Sequence, residues 1–299
     1  MTKFIVSNQH EKAHQIKPAA WTSLWGTDLI DAVYNYTFTV LSALKDQGTL
    51  PQSVQIGNEI DNGMLWAPSG QPCDHGGYIP SPCQDNWPYF AQLVGAGVQA
   101  TRDVDDSIEI MIHTSLGNSL AGGQSAVNWI IEWYDNLYYK YNVTFDSIGL
   151  SFYPGFCNCK LSDLDLLKNL MDHFKDCKGG LYIVETSYPY NPNVTYSWSS
   201  TYPFTPQGQL QYSQALMGVV NGGSIKGLRG VMWWGTEYFQ TAQQQWQSLW
   251  DWNAVALPAL LEGFKGSAEE DGLPTVDPTS DPTSDIDRTR GAVYHDATG

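Results

Sequence analysis

Val54-Gln55-Ile56-Gly57-Asn58-Glu59-Ile60 is a short apolar run that ends in polar residues, and Leu181-Tyr182-Ile183-Val184-Glu185-Thr186 repeats the design later in the chain. Each sets a carboxylate where an apolar strand gives out. Apolar runs of this length without strict alternation fit strands buried on both faces, as in a parallel sheet. A single Glu at a strand end is ordinarily a salt bridge or a helix cap. Two of them on two strands of one run, with Asn directly before the first, point instead to a shared site.

The intervening sequence alternates helix-like and strand-like segments. Residues 28–47 read as a helix stopped by Gly48, with Leu29, Ala32, Val33, Tyr36 and Leu44 near one face. Helices are expected over 86–104, 126–141, 161–176 and 206–221, and toward the end of 246–264. Strands are expected over 53–60, 108–113, 146–153, 181–186 and 227–234. Five strands alternating with helices define an α/β fold, either a doubly wound sheet or a (β/α) barrel. No GxGxxG or P-loop pattern follows a strand, which removes the main nucleotide-binding reading.

In a barrel the C-terminal strand ends form the active face, so Glu59 and Glu185 would look into one site. Cleaving a glycosidic bond needs that pair: a proton donor for the leaving oxygen and a second carboxylate across the anomeric carbon. In retaining enzymes the two are roughly 5–5.5 Å apart and the second is the nucleophile. Environment must keep one protonated and the other ionised. Asn58 can offer an amide donor to a sugar hydroxyl.

Composition narrows the partner class. The net charge is −16, which argues against nucleic acid or an anionic membrane surface. Aromatic residues make up 13 %, including 12 Trp and 17 Tyr; such rings line sugar clefts, although core packing uses them equally. No apolar run is long enough to span a membrane. Residues 266–299 hold eight acids and two bases around the repeat Asp277-Pro-Thr-Ser-Asp281-Pro-Thr-Ser-Asp285, and a disordered acidic tail is expected there, after a catalytic domain over 1–265.

Five cysteines occur without a CxxC pair, against a zinc ribbon or thioredoxin-type site. Cys73 and Cys83 flank a turn-rich loop and could bridge; among Cys157, Cys159 and Cys177 one pairing leaves one thiol over. Sequons at Asn35, Asn142 and Asn193 favour a secreted glycoprotein. The N-terminal residues lack the apolar core of a signal peptide.

The motifs together resemble those of glycoside hydrolase family 53, the endo-β-1,4-galactanases, within the large clan of retaining barrel glycosidases. The matching pieces are Lys17-Pro18-Ala19-Ala20-Trp21, Gln55–Ile60 followed by Gly63-Met64-Leu65-Trp66, Ile148–Pro154, Val184-Glu185-Thr186, Gly230–Trp234 and Ala256–Leu260. They keep the family's order from residue 17 to residue 260. The resemblance implies a (β/α)8 TIM barrel of which strands four to eight are recognisable, Glu59 as general acid/base and Glu185 as nucleophile. It implies that Asn58, His113, Tyr153 and Trp234 bind substrate, with His113 and Tyr153 beside the nucleophile and Trp234 flooring the site. For His113 a satisfied core histidine is the competing reading, and core packing is expected for Trp66 and Trp233.

Departures bear on chain specificity. Gly155-Phe156-Cys157-Asn158-Cys159 replaces the family's usual aromatic run, Tyr188 stands where Trp is common, and Gly235 where an acid often follows the strand-eight Trp. Bacterial members hold calcium after strand seven; here no Asp or Glu lies between Thr186 and Arg229, so no metal or other cofactor is expected. On the resemblance, residues 1–16 are the tail of the third β/α unit and the barrel is incomplete. The expected activity is retaining endo-hydrolysis of β-1,4-galactan side chains of pectin by an extracellular monomer. The rivals are a retaining barrel enzyme acting on mannan or cellulose, and a non-catalytic fragment that at most binds glycan.

Overall fold

A computed structural model describes residues 3–6, 15–67, 76–80, 82–175, 177, 179–193, 201–237 and 246–265. Its strands are β1 (Lys3–Val6), β2 (Ser53–Ile56), β3 (Gly63–Met64), β4 (Gly77–Tyr78), β5 (Glu109–Thr114), β6 (Ser147–Ser151), β7 (Gly180–Thr186) and β8 (Leu228–Trp233). Its α-helices are α1 (Thr27–Asp46), α2 (Trp87–Val104), α3 (Gln124–Asp135), α4 (Pro154–Cys157), α5 (Leu167–His173) and α6 (Pro206–Asn221). The expected acidic tail over 266–299 lies outside the described residues.

Six strands form one parallel sheet in the order β1-β2-β5-β6-β7-β8. Every strand lies beside the next sheet strand in the chain. A doubly wound sheet reverses direction at a switch point; this order never reverses, and the architecture is that of a (β/α) barrel. β1 corrects the sequence reading. The sequence reading gives residues 1–16 as the tail of the third β/α unit and counts five strands; residues 3–6 instead form a strand paired with β2 from Lys3↔Ser53 to Val6↔Ile56, so the sheet has six strands among the described residues.

Period-two alternation divides the strands into two faces. Val54, Ile56, Ile110, Ile112, Ile148, Leu150, Leu181 and Ile183 are all sealed from solvent. Ile56 lies against Gly97 of α2, which shows this set facing the helices. The opposite set contains Ser53, Gln55, Met111, His113, Ser147 and Ser151, also buried. This is the barrel interior, and it carries the polar groups. Gly149 fits between Met111 and Val184 on that face, where an added Cβ would come within 3.0 Å of Met111 Sδ.

The helices follow the sequence closely except at their ends. α6 covers the expected residues, and the helix expected over 126–141 is α3 continued by a π-helical turn, Asn136–Lys140. The helix expected over 161–176 starts as 3-10 turns, Leu161–Leu166, before α5. The helix expected toward the end of 246–264 is the π-helical turn Ala259–Gly263. No helix among the described residues is long and apolar enough to cross a membrane. A disulfide joins Cys157 to Cys159 and leaves Cys177 as a buried thiol. Cys83 is disulfide-bonded; Cys73 lies outside the described residues.

Candidate active site

The site begins where β2 ends. Gly57 takes φ +80° and Glu59 takes a left-handed conformation, φ 48° and ψ 49°. Two positive-φ residues flanking Asn58 turn the chain sharply, and a non-glycine residue there is strained unless its surroundings hold it. Gln55 provides part of that hold. From inside the barrel its amide N–H group donates to the Gly57 carbonyl at 2.7 Å and to Asn58 Oδ1 at 3.2 Å. Gln15 donates to the Asn58 carbonyl at 2.5 Å. Beyond the turn, Asp61 accepts from both the backbone N–H (3.0 Å) and the hydroxyl (2.9 Å) of Ser115. The loop carrying Glu59 is thereby tied to the end of β5.

The end of β6 and the residues just after it supply the partners of both carboxylates. Ser151 Oγ lies 2.6 Å from Glu59 Oε1, and the Tyr153 hydroxyl donates to Glu185 Oε2 at 3.1 Å. Ser151 is also the register partner of Glu185 across the β6–β7 seam, after a shift between Leu150 and Ser151 that skips Val184. A second irregularity lies between Ile183 and Thr186 against β8. By parity with Leu181 and Ile183, Glu185 would face the helices. The double irregularity re-aims it, a use of bulges common beside active sites. The Glu185 carbonyl still accepts from the Phe152 N–H at 2.8 Å.

Tyr153 itself is only 7 % exposed. Burial, then the charges of Glu185 and Glu59, then the hydrogen bond to Glu185, push its phenol well above the usual tyrosine range. The group therefore stays a donor at any pH the fold meets. Asn118 anchors its backbone, accepting from the Tyr153 N–H at 2.7 Å. Trp234, half-buried, meets the Tyr153 ring edge-on with centroids 6.5 Å apart, and its backbone N–H donates to the Thr186 carbonyl at 2.8 Å.

Glu59, Asn58, Tyr153, Glu185 and Trp234 thus gather at the C-terminal ends of β2, β6, β7 and β8. His113 sits differently. It is 0 % exposed, and its ring nitrogens meet Asn58 Oδ1 at 3.2 Å and Ser151 Oγ at 2.9 Å. It stands behind the Asn58–Glu59 turn, inside the barrel. Ser151 was not singled out in the sequence, where Ser in an apolar strand carries no signal. Only its place two residues before Tyr153 could have suggested it. Trp233 packs edge-on against Phe264 and Tyr212, and Trp66 against Tyr78, as core packing requires.

A family model described as glycosyl hydrolase family 53 matches residues 9–265. The chain belongs to this family. Among the relatives of this family 53 chain, an uncharacterised protein of Niallia circulans is 35 % identical over 224 residues, 70 % of this chain and 56 % of the relative. The arabinogalactan endo-β-1,4-galactanase of Thermothelomyces thermophilus is 31 % identical over 242 residues, 78 % of this chain and 65 % of the relative. A solved fungal β-1,4-galactanase superposes with a TM-score of 0.70 at 28 % identity, covering 88 % of this chain and 76 % of that one. The chain spans 56 % and 65 % of the length of the two relatives compared by sequence.

Proposed function

We propose that the protein hydrolyses β-1,4-galactosidic bonds within galactan side chains, with retention of anomeric configuration. The observation that carries this reading is the convergence of two carboxylates at the C-terminal end of β6: Glu59 on Ser151, the last residue of the strand, and Glu185 on Tyr153 two residues beyond it. The galactanase names of the relatives supply the substrate class. Glu185 attacks the anomeric carbon while Glu59 protonates the departing glycosidic oxygen, giving a glycosyl-enzyme ester. Glu59 then takes a proton from water, which attacks the same carbon and releases Glu185. The Tyr153 phenol holds one oxygen of Glu185 and leaves the other to the sugar. The Asn58 oxygen is committed to Gln55 and His113, so its NH2 end is the part that reaches a sugar hydroxyl. Trp234 offers a ring face to the pyranose.

Secretion, glycosylation and a monomeric state belong to the same proposal. Asn35 and Asn142 are both on the exposed surface, as glycan acceptors must be. The deciding experiment incubates the chain with linear β-1,4-galactan, β-mannan and cellulose and follows product anomers by proton NMR. Galactan alone should yield oligosaccharides, first as the β-anomer. The Glu59→Ala and Glu185→Ala variants should each lose at least about a thousandfold in rate. Wild-type turnover by Glu185→Ala, or α-anomer as first product, would overturn the assignment.

A further inference from the structure

Behind Glu59 runs a line of hydrogen bonds whose protons can be counted. The Gly57 carbonyl only accepts, so the Gln55 atom at 2.7 Å from it is the NH2 nitrogen. That nitrogen also lies 3.2 Å from one Asn58 amide atom, which must then be oxygen. His113 Nδ1, 3.2 Å from the same oxygen, must carry a hydrogen. One backbone carbonyl thereby fixes two amide orientations and one imidazole tautomer. At the other end of the ring, Nε2 meets Ser151 Oγ at 2.9 Å, and the same Oγ meets Glu59 Oε1 at 2.6 Å.

Ser151 has one proton for these two contacts. With a neutral ring, the hydroxyl donates to Nε2, and Glu59 completes the line only by donating its own proton to Ser151. If Glu59 is ionised, the hydroxyl turns to it and Nε2 faces an oxygen lone pair, unless the ring takes up a second proton. An imidazolium sealed from solvent is the costlier arrangement. Among the described residues, Tyr153 after β6 feels the charges of both Glu59 and Glu185 on β7. The negative Glu185 opposes a second negative charge, and Tyr153 stays neutral, so both leave the preference intact.

We propose that Ser151 and His113 are positioning residues that keep the proton on Glu59, reading its state through the single Ser151 hydrogen. The idea rests on Glu59 being the acid of the proposed reaction, but its first test does not depend on turnover. Nitrogen-15 NMR of the histidine rings in the whole chain, assigned with His113→Gln, should show His113 neutral with hydrogen on Nδ1. The Nε2 resonance should move as Glu59 ionises. It should stay flat in Glu59→Gln, whose amide still donates to Ser151, and should lose the Glu59-linked step in Ser151→Ala. Hydrogen on Nε2 of a neutral ring, or the same step in all three proteins, overturns the proposal.

The second test is kinetic. Ser151→Ala should move the alkaline limb of kcat/KM on galactan down by about one pH unit, the worth of one buried hydrogen bond. Ser151→Thr should restore it. An aryl galactoside with an acidic leaving group, which needs no proton, should be slowed less than galactan. Equal slowing of both substrates with an unmoved limb means Ser151 is merely structural and overturns the proposal. Wild-type galactan rate in Glu59→Gln would instead sink the acid assignment, and the NMR result would stand apart from it.

Discussion

Tyr153 shows how much one side chain contributes when its protonation cannot change. Its hydroxyl donates to Glu185 Oε2, and burial and two nearby carboxylates hold the phenol proton in place. Tyr153→Phe removes that donor with almost no change of shape. Hydrogen bonds to charged groups contribute about 1.5–3 kcal/mol, so kcat on galactan should fall by about ten- to a hundredfold while the melting temperature hardly moves. A variant within about twofold of wild type would show that Glu185 does not depend on Tyr153. The residue roles differ in how readable they were. Glu59 and Glu185 stand out only as a pair, because two carboxylates ending two apolar strands of one run, with Asn58 directly before the first, are hard to explain as separate salt bridges or caps. Tyr153 enters through the family resemblance, in the matching piece Ile148–Pro154. Ser151 did not show, since a buried serine looks the same in sequence whether it touches a carboxylate or nothing. His113 reads in the sequence as a substrate ligand or a core residue, and only its contacts to Asn58 and Ser151 place it behind the turn.

At the scale of elements, the β2–Glu59 turn is where local backbone sets site geometry. Gly57 has φ +80°, and a Cβ there would come within 2.4 Å of the Ile60 side chain, which is sealed in the core. Gly57→Ala therefore combines a left-handed alanine, costing about 1–2 kcal/mol, with a clash that Ile60 cannot easily relieve. A total loss of about 2–4 kcal/mol in urea unfolding is expected, together with reduced galactan turnover as Glu59 shifts. A loss under about 0.5 kcal/mol would show that the turn relaxes freely. The sheet strands β2 and β5 to β8 were legible because buried parallel strands must be apolar on the helix face. β1 was not, since Phe4-Ile5-Val6 is too short a run to separate from a loop. The helix expected toward the end of 246–264 forms at Ala259–Gly263, and a local reason keeps the residues before it out of the helix. Asp251 Oδ1 accepts from the backbone N–H groups of Asn253 (2.9 Å) and Val255 (2.8 Å). Side-chain capture of this kind competes directly with helix bonds, and the chain turns back so that the Leu257 N–H donates to the Leu249 carbonyl.

Across the whole molecule, buried phenols govern how the fold should fail in alkali. Tyr134 and Tyr212 are completely enclosed and Tyr153 nearly so, and burial is the first cause raising each above the ordinary tyrosine range. Each also bridges parts of the barrel: Tyr134 donates to the carbonyls of Ile112 and Gly149 on β5 and β6, and Tyr212 on α6 pairs with Thr186 on β7. Below about pH 10, folded and unfolded chains both keep these protons, and the stability is fully present. Above it the unfolded chain releases protons that the folded chain retains, so stability falls by about 1.4 kcal/mol per pH unit for each tyrosine. The loss grows for as long as the folded chain retains the protons, and three such terms amount to about 4 kcal/mol per pH unit against an ordinary domain stability of about 5–15 kcal/mol. Unfolding should therefore precede ionisation of these three residues. A block of phenolate absorbance should appear in one cooperative step coincident with loss of helical circular dichroism. Tyr134→Phe, which removes one such proton, should shift that step to higher pH relative to its own neutral-pH stability. Smooth, reversible titration of all tyrosines with the circular dichroism unchanged would show that these phenols reach solvent, and that the barrel wall opens without the fold being lost.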